Sequence, residues 1–232
     1  IYVHSDNNDE EDNYEAAKGM VADASTGDAT TIINKGTIYV KGGTGMLATS
    51  NAKDRKSEIT NEGTIHVINS GFGMSLGGKD ASGVEMTNKG TIIASGKNAY
   101  GITASDATDG TVTNEGTIIA TDGAIAISSG RWNKDVEFSL TLKGNSHVEG
   151  VIELGKASHL IVQDLARAET IVLSSGTSEK VNALDGAPCN GCNVGSIRVN
   201  NSNLTIRSSD ESQTLKILSL IHISEPTRQE AI

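Results

Sequence analysis

One phrase recurs down the chain and constrains its fold more than any other feature. Asn-x-Gly-Thr-Ile appears at Asn34–Ile38, Asn61–Ile65, Asn88–Ile92 and Asn114–Ile118, with steps of 27, 27 and 26 residues between the asparagines. A fixed period of that size means one supersecondary unit stacked on copies of itself. Each unit holds three short segments in which apolar and polar residues alternate, the pattern of a strand with one buried face. The first is Thr-Ile-x-Val or its relative, as at Ile38 and Val40 or Ile65 and Val67. The second centres on Gly-Met: Gly19-Met20, Gly45-Met46, Gly73-Met74, Gly101-Ile102 and Ala124-Ile125. The third ends on the asparagine, as in Ile59-Thr60-Asn61. These segments are too short, and too rich in Gly and Thr, for helices.

The expected fold is therefore all-β: a right-handed parallel β-helix with three short strands per coil of about 27 residues. Equivalent residues then stack at about 4.8 Å. Ile38, Ile65, Ile92 and Ile118 should form an inward column. Asn34, Asn61, Asn88 and Asn114 should form a hydrogen-bonded ladder at a bend. Asn there, and Gly two residues later, would supply a left-handed backbone. The residue after each asparagine alternates Lys35, Glu62, Lys89, Glu115, which would put opposite charges in contact between coils and penalise a slip by one coil.

The same phasing organises the rest. Ile1-Tyr2-Val3 matches Ile38-Tyr39-Val40, so the chain opens inside a repeat, with about ten surplus residues around Asp6–Asn13 expected to form a loop. Repeats are clearest over 1–130. Degenerate coils are expected over 131–217, where Trp132 would cover an apolar face as the coil shape changes. Residues 218–232 read as a non-native tail, because Leu218–Arg228 resembles the translation of a transposase sequencing adapter.

Composition narrows the function. A net charge of −10 disfavours nucleic-acid binding. No apolar run is long enough to span a bilayer as a helix. The acidic loop 6–13 invites calcium, but its spacing is not that of an EF-hand, and a solvated loop is the expectation. Cys189-Asn190-Gly191-Cys192 offers a redox pair, half a zinc site or a small disulfide staple; the staple across a tight turn is expected if the protein is exported. His4, His66, His147, His159 and His222 have no metal-ligand spacing, and His66 should be a solvated strand residue. Glu58 and Glu85 occupy equivalent positions on successive coils and read as a screened surface pair. No catalytic, cofactor or metal residue is assigned.

The phrases Thr-Asn-Glu-Gly-Thr-Ile (60–65 and 113–118), Ala-Tyr-Gly-Ile-Thr-Ala-Ser (99–105) and Val-Glu-Gly-Val-Ile-Glu-Leu-Gly (148–155) resemble the passenger domains of Gram-negative autotransporters, the type V secreted proteins. The resemblance implies a β-helical passenger carried to the cell surface, or released, through a C-terminal outer-membrane barrel. It further implies an adhesive, virulence-associated role with receptors, glycans or a second copy as partners. The alternatives are a carbohydrate-active β-helix (a lyase or depolymerase) and a structural spacer.

Overall fold

The structure, a computed structural model, describes residues 1–4, 17–24, 30–50, 57–77, 84–104, 110–128, 138–154, 158–174, 181–182, 188–189, 196–208 and 214–218. Within them nearly every strand belongs to one of three sheets of a parallel β-helix, and no helix occurs among the described residues. The Thr-Ile sheet has six strands: Tyr2–His4, Thr37–Lys41, Thr64–Ile68, Thr91–Ser95, Thr117–Thr121 and His147–Glu149. The Gly-Met sheet has nine, beginning Lys18–Asp23, Thr44–Thr49, Gly71–Gly77, Ala99–Ala104 and Ile125–Ser128. It continues through Val151–Glu153, Glu169–Leu173 and Asn203–Ser208, and Thr214–Leu218 closes it with an antiparallel pairing. The Asn sheet has seven: Thr30–Asn34, Ser57–Asn61, Val84–Asn88, Gly110–Asn114, Phe138–Gly144, His159–Leu165 and Ser196–Asn200. A two-residue antiparallel pair, Val181–Asn182 with Pro188–Cys189, stands apart.

The period expected from sequence is the register observed. Ile38 pairs with Ile65, Ile65 with Ile92 and Ile92 with Ile118. All four are fully buried, beside Val40, Val67 and Ala94. Met46, Met74, Ile102 and Ile127 enter the same core from the Gly-Met sheet, and Ile59, Met86, Val112, Leu140 and Leu160 from the Asn sheet. Burial of an aliphatic side chain of this size contributes about 1.5–3 kcal/mol. A thin core therefore suffices because every coil repeats it. Tyr2 pairs with Tyr39 and Val3 with Val40, as the opening match required.

The ladder asparagines share one column. Asn34 Nδ2 donates to Asn61 Oδ1 at 2.8 Å, Asn61 to Asn88 at 2.9 Å and Asn88 to Asn114 at 2.8 Å. The column ends where Leu142 takes the asparagine position, and Asn114 Nδ2 instead donates to the buried Ser146 Oγ at 2.8 Å. Leu142, Val162 and Val199 then continue the column as an aliphatic stack.

Two expectations are corrected. None of the ladder asparagines, nor Gly36, Gly63, Gly90 or Gly116, has a positive φ. The glycines are required by proximity: a Cβ on Gly63, Gly90 or Gly116 would strike the carbonyl oxygen of the glycine one coil before. Each of those carbonyls accepts the amide of the next coil's Thr, as Gly36 O does from Thr64 N at 2.9 Å. Over the signature-bearing coils left-handed residues sit at the other bend, between the Thr-Ile and Gly-Met sheets: Gly42, Gly43, Asn69, Gly71, Gly96, Asn98, Asp122 and Gly123; at the ends of the Asn-sheet strands they occur only later, at Gly144, Asp164 and Asn201. Second, the pair equivalent to Gly101-Ile102 is Ala126-Ile127, since Ile102 pairs with Ile127. Ala124 is too close to the Asp122-Gly123 turn for the chain to have rounded the bend.

Two substitutions test this packing. Asn88→Ala takes the donor from Asn114 Oδ1 and the acceptor from Asn61 Nδ2, so unfolding free energy in urea should fall by about 2–3 kcal/mol; a change within about 0.5 kcal/mol would contradict the ladder's energetic role. Thr103 Oγ1 is buried without a hydrogen-bond partner. Thr103→Val should therefore raise the melting temperature, whereas a clear fall would show that the hydroxyl is satisfied in solution.

Candidate interaction surface

The Thr-Ile strands alternate between core and outer face, so their outward residues form columns along one face of the sheet. The central column runs Tyr2, Tyr39, His66, Ile93, Ile119, Glu149. On one side lie Thr37, Thr64, Thr91, Thr117 and His147. On the other lie His4, Lys41, Ile68, Ser95 and Thr121. Tyr2 is 70% exposed, and Tyr39 and Ile68 are each 46% exposed. The Tyr39 and His66 rings stack with centroids 5.0 Å apart and an interplanar angle of 9°. Because each ring covers a face of the other, the pair turns edges and polar tips outward. Cross-strand pairs of this kind also hold the sheet together.

Charge is distributed unevenly around the coil. The first five strands of the Thr-Ile sheet contain no Asp or Glu, although the chain has 29 acidic residues. Glu149, on the sixth strand, is the first carboxylate on this sheet. Over its first five strands the Asn sheet carries Glu58 and Glu85 side by side, with Thr31 and Thr111 beyond them, and the Gly-Met sheet carries Asp23; farther along the stack lie Glu153, Asp164 and Glu169.

The alternating charges flank the Thr-Ile face at its bend with the Asn sheet. Lys35 Nζ lies 3.6 Å from Glu62, and Lys143 Nζ lies 3.1 Å from Glu115. Lys143 extends the alternation to five coils. Sequence phasing missed it because Leu142 replaces the asparagine that marks the position. Lys89 makes no ion pair within 4 Å among the described residues. The pairs are exposed, so each contributes only about 0.2–1 kcal/mol.

At the far end the Thr-Ile sheet stops. After His147–Glu149 no further strand joins it among the described residues, while the other two sheets continue. The buried Glu169 meets this free edge: its Oε1 accepts from Val148 N at 3.1 Å and lies 3.0 Å from His147 Nδ1. A carboxylate thus replaces the carbonyl of a missing coil, which blunts an edge strand. Nothing in the repeat pattern marked Glu169.

The remaining candidate residues do not converge. His4 is exposed, His66 is half-buried on the central column and His159 faces outward on the Asn sheet. Among the described residues no group of three or more His, Cys, Asp or Glu could hold a metal ion. The acidic loop 6–13, Trp132, Cys192 and His222 lie outside the described residues, as does the side chain of Cys189.

The three-sheet solenoid and its columns fit a passenger-type β-helix. A family model, the BigA third pectate lyase-like domain, matches residues 15–93. No curated protein and no solved structure matches the chain.

Replacing Glu169 by Ala should lower unfolding free energy by about 1–3 kcal/mol, since Val148 N–H loses its partner in a buried setting. Glu169→Gln keeps an acceptor and should recover most of that loss. Equal effects of the two substitutions on urea midpoints would rule out the edge-capping role.

Proposed function

We propose that this chain is part of a surface-exposed, adhesin-like β-helical stalk that binds along its flank. The observation carrying this reading is the outer Thr-Ile face, with its exposed Tyr2, Tyr39 and Ile68 and no carboxylate over five strands. A single exposed apolar side chain is ordinary, but several aligned on one flat face of an acidic protein suit an interaction surface. The similarity of residues 15–93 to a BigA domain supports a cell-surface or secreted location. The resemblance to autotransporter passengers adds export through an outer-membrane barrel. The partners are receptors or glycans on host or bacterial cells, and nucleic acid is disfavoured by charge.

The words "pectate lyase-like" favour a catalytic alternative at the level of fold. Fold alone does not carry activity. Glycan cleavage needs convergent acid–base or metal groups, and the adjacent Glu58 and Glu85 stand on an open sheet flanked by threonines. We assign the chain a binding role.

Displayed on a bacterial surface, the chain should confer attachment to cultured epithelial cells. Tyr39→Asp combined with Ile68→Asp should reduce attachment about fivefold or more, the effect of losing roughly 1 kcal/mol. Val21→Asp, exposed on the Gly-Met sheet, should leave it unchanged. Equal attachment by all three would remove the Thr-Ile face from the reading, and no attachment by any would favour a spacer. Reducing-sugar release from a glycan panel would favour the enzyme.

A further inference from the structure

We infer that the Thr-Ile face docks a second copy of this chain, antiparallel, about a two-fold axis that lies along the strand direction between the Glu62 and Lys89 coils. The inference rests on the reading of that face as a docking surface and adds the partner. Three columns carry it.

The first is the flanking charge column, Lys35, Glu62, Lys89, Glu115. A two-fold axis along the strands keeps each column opposite itself and reverses coil order. Lys35 then faces Glu115 of the second copy, and Glu62 faces its Lys89. All four positions meet the opposite sign. A parallel arrangement would not bring this column against itself.

The second is the central column. The same operation sets Tyr39 against Ile119 and His66 against Ile93, so each copy's aromatic coils cover the other's aliphatic ones. Glu149, the carboxylate of the sixth strand, falls opposite Tyr2, whose hydroxyl is a donor, with His4 beside it. The third column pairs Lys41 with Thr121 and Ile68 with Ser95, with no like charges apposed.

Two further features favour this occupant. Two chains of net charge −10 repel one another, and the first five strands of this sheet add no carboxylate of their own to that repulsion. Both copies also share one coil spacing, so a match made at one coil is repeated at the next without drift. An isologous contact of this kind closes on itself as a dimer.

Sedimentation velocity of the full chain tests the proposal. A concentration-dependent dimer is expected, and Lys89→Glu and Glu62→Lys should each weaken it at least about tenfold by replacing two attractions with two repulsions. Mixing the two variants should restore dimer to the original level, because their columns are complementary to each other. Changes within one chain's own stack cannot produce that rescue. If either charge variant fails to fold by circular dichroism, Ile93→Asp, opposite His66 near the axis, should abolish the dimer instead. A monomer up to about 200 µM, far above the range of specific association, would overturn the proposal. So would folded charge variants whose mixture stays monomeric, or a dimer that survives Ile93→Asp. Attachment to cells by a strictly monomeric chain would overturn the dimer and leave the adhesive reading standing.

Discussion

Close approach of the backbone at one bend sets the geometry on which the other columns depend. Gly36, Gly63, Gly90 and Gly116 lie so near one another that no side chain fits between them. That contact aligns successive coils, and the asparagine amides bridge them in the same place. Once the bend is fixed, parallel pairing carries the register into each sheet. The isoleucines then fall inward, and the Lys/Glu alternation falls on the flank. The recurring phrase is thus a description of one bend: Asn to bond along the stack, Gly to permit contact, Thr and Ile to begin the next wall.

Much of this was legible because a solenoid turns sequence spacing directly into spatial adjacency. Residues 27 positions apart are neighbours, so columns could be written down from the sequence alone. Departures arose where adjacency ceased to follow the period. The Asp122-Gly123 turn delayed the fifth Gly-Met position by two residues. Leu142 erased the marker of the Asn column, which hid Lys143 and the capping role of Ser146. Glu169 was invisible because its partners, His147 and Val148, belong to a strand that has no successor in its sheet among the described residues.

The candidate surface was only partly legible. His66 could be assigned outward from alternation, but its stacking on Tyr39 depends on rotamers that spacing does not specify. The carboxylate-free character of the Thr-Ile face emerges only after residues from five coils are gathered onto one side. The backbone role of the bend glycines was misread for a related reason. Glycine serves both conformational freedom and close approach, and only the coordinates of the adjacent coil separate them.

The loss of the third wall after Glu149 has a mechanical consequence. Over the first coils three hydrogen-bonded sheets share any load applied along the axis. Beyond that point, among the described residues, two sheets carry it, joined to the first coils by strands that continue past the edge capped by Glu169. The hydrogen-bonded walls described therefore drop from three to two at a defined place. A stalk built this way should yield there first under tension, the two-sheet segment extending while the ladder-bearing coils stay folded.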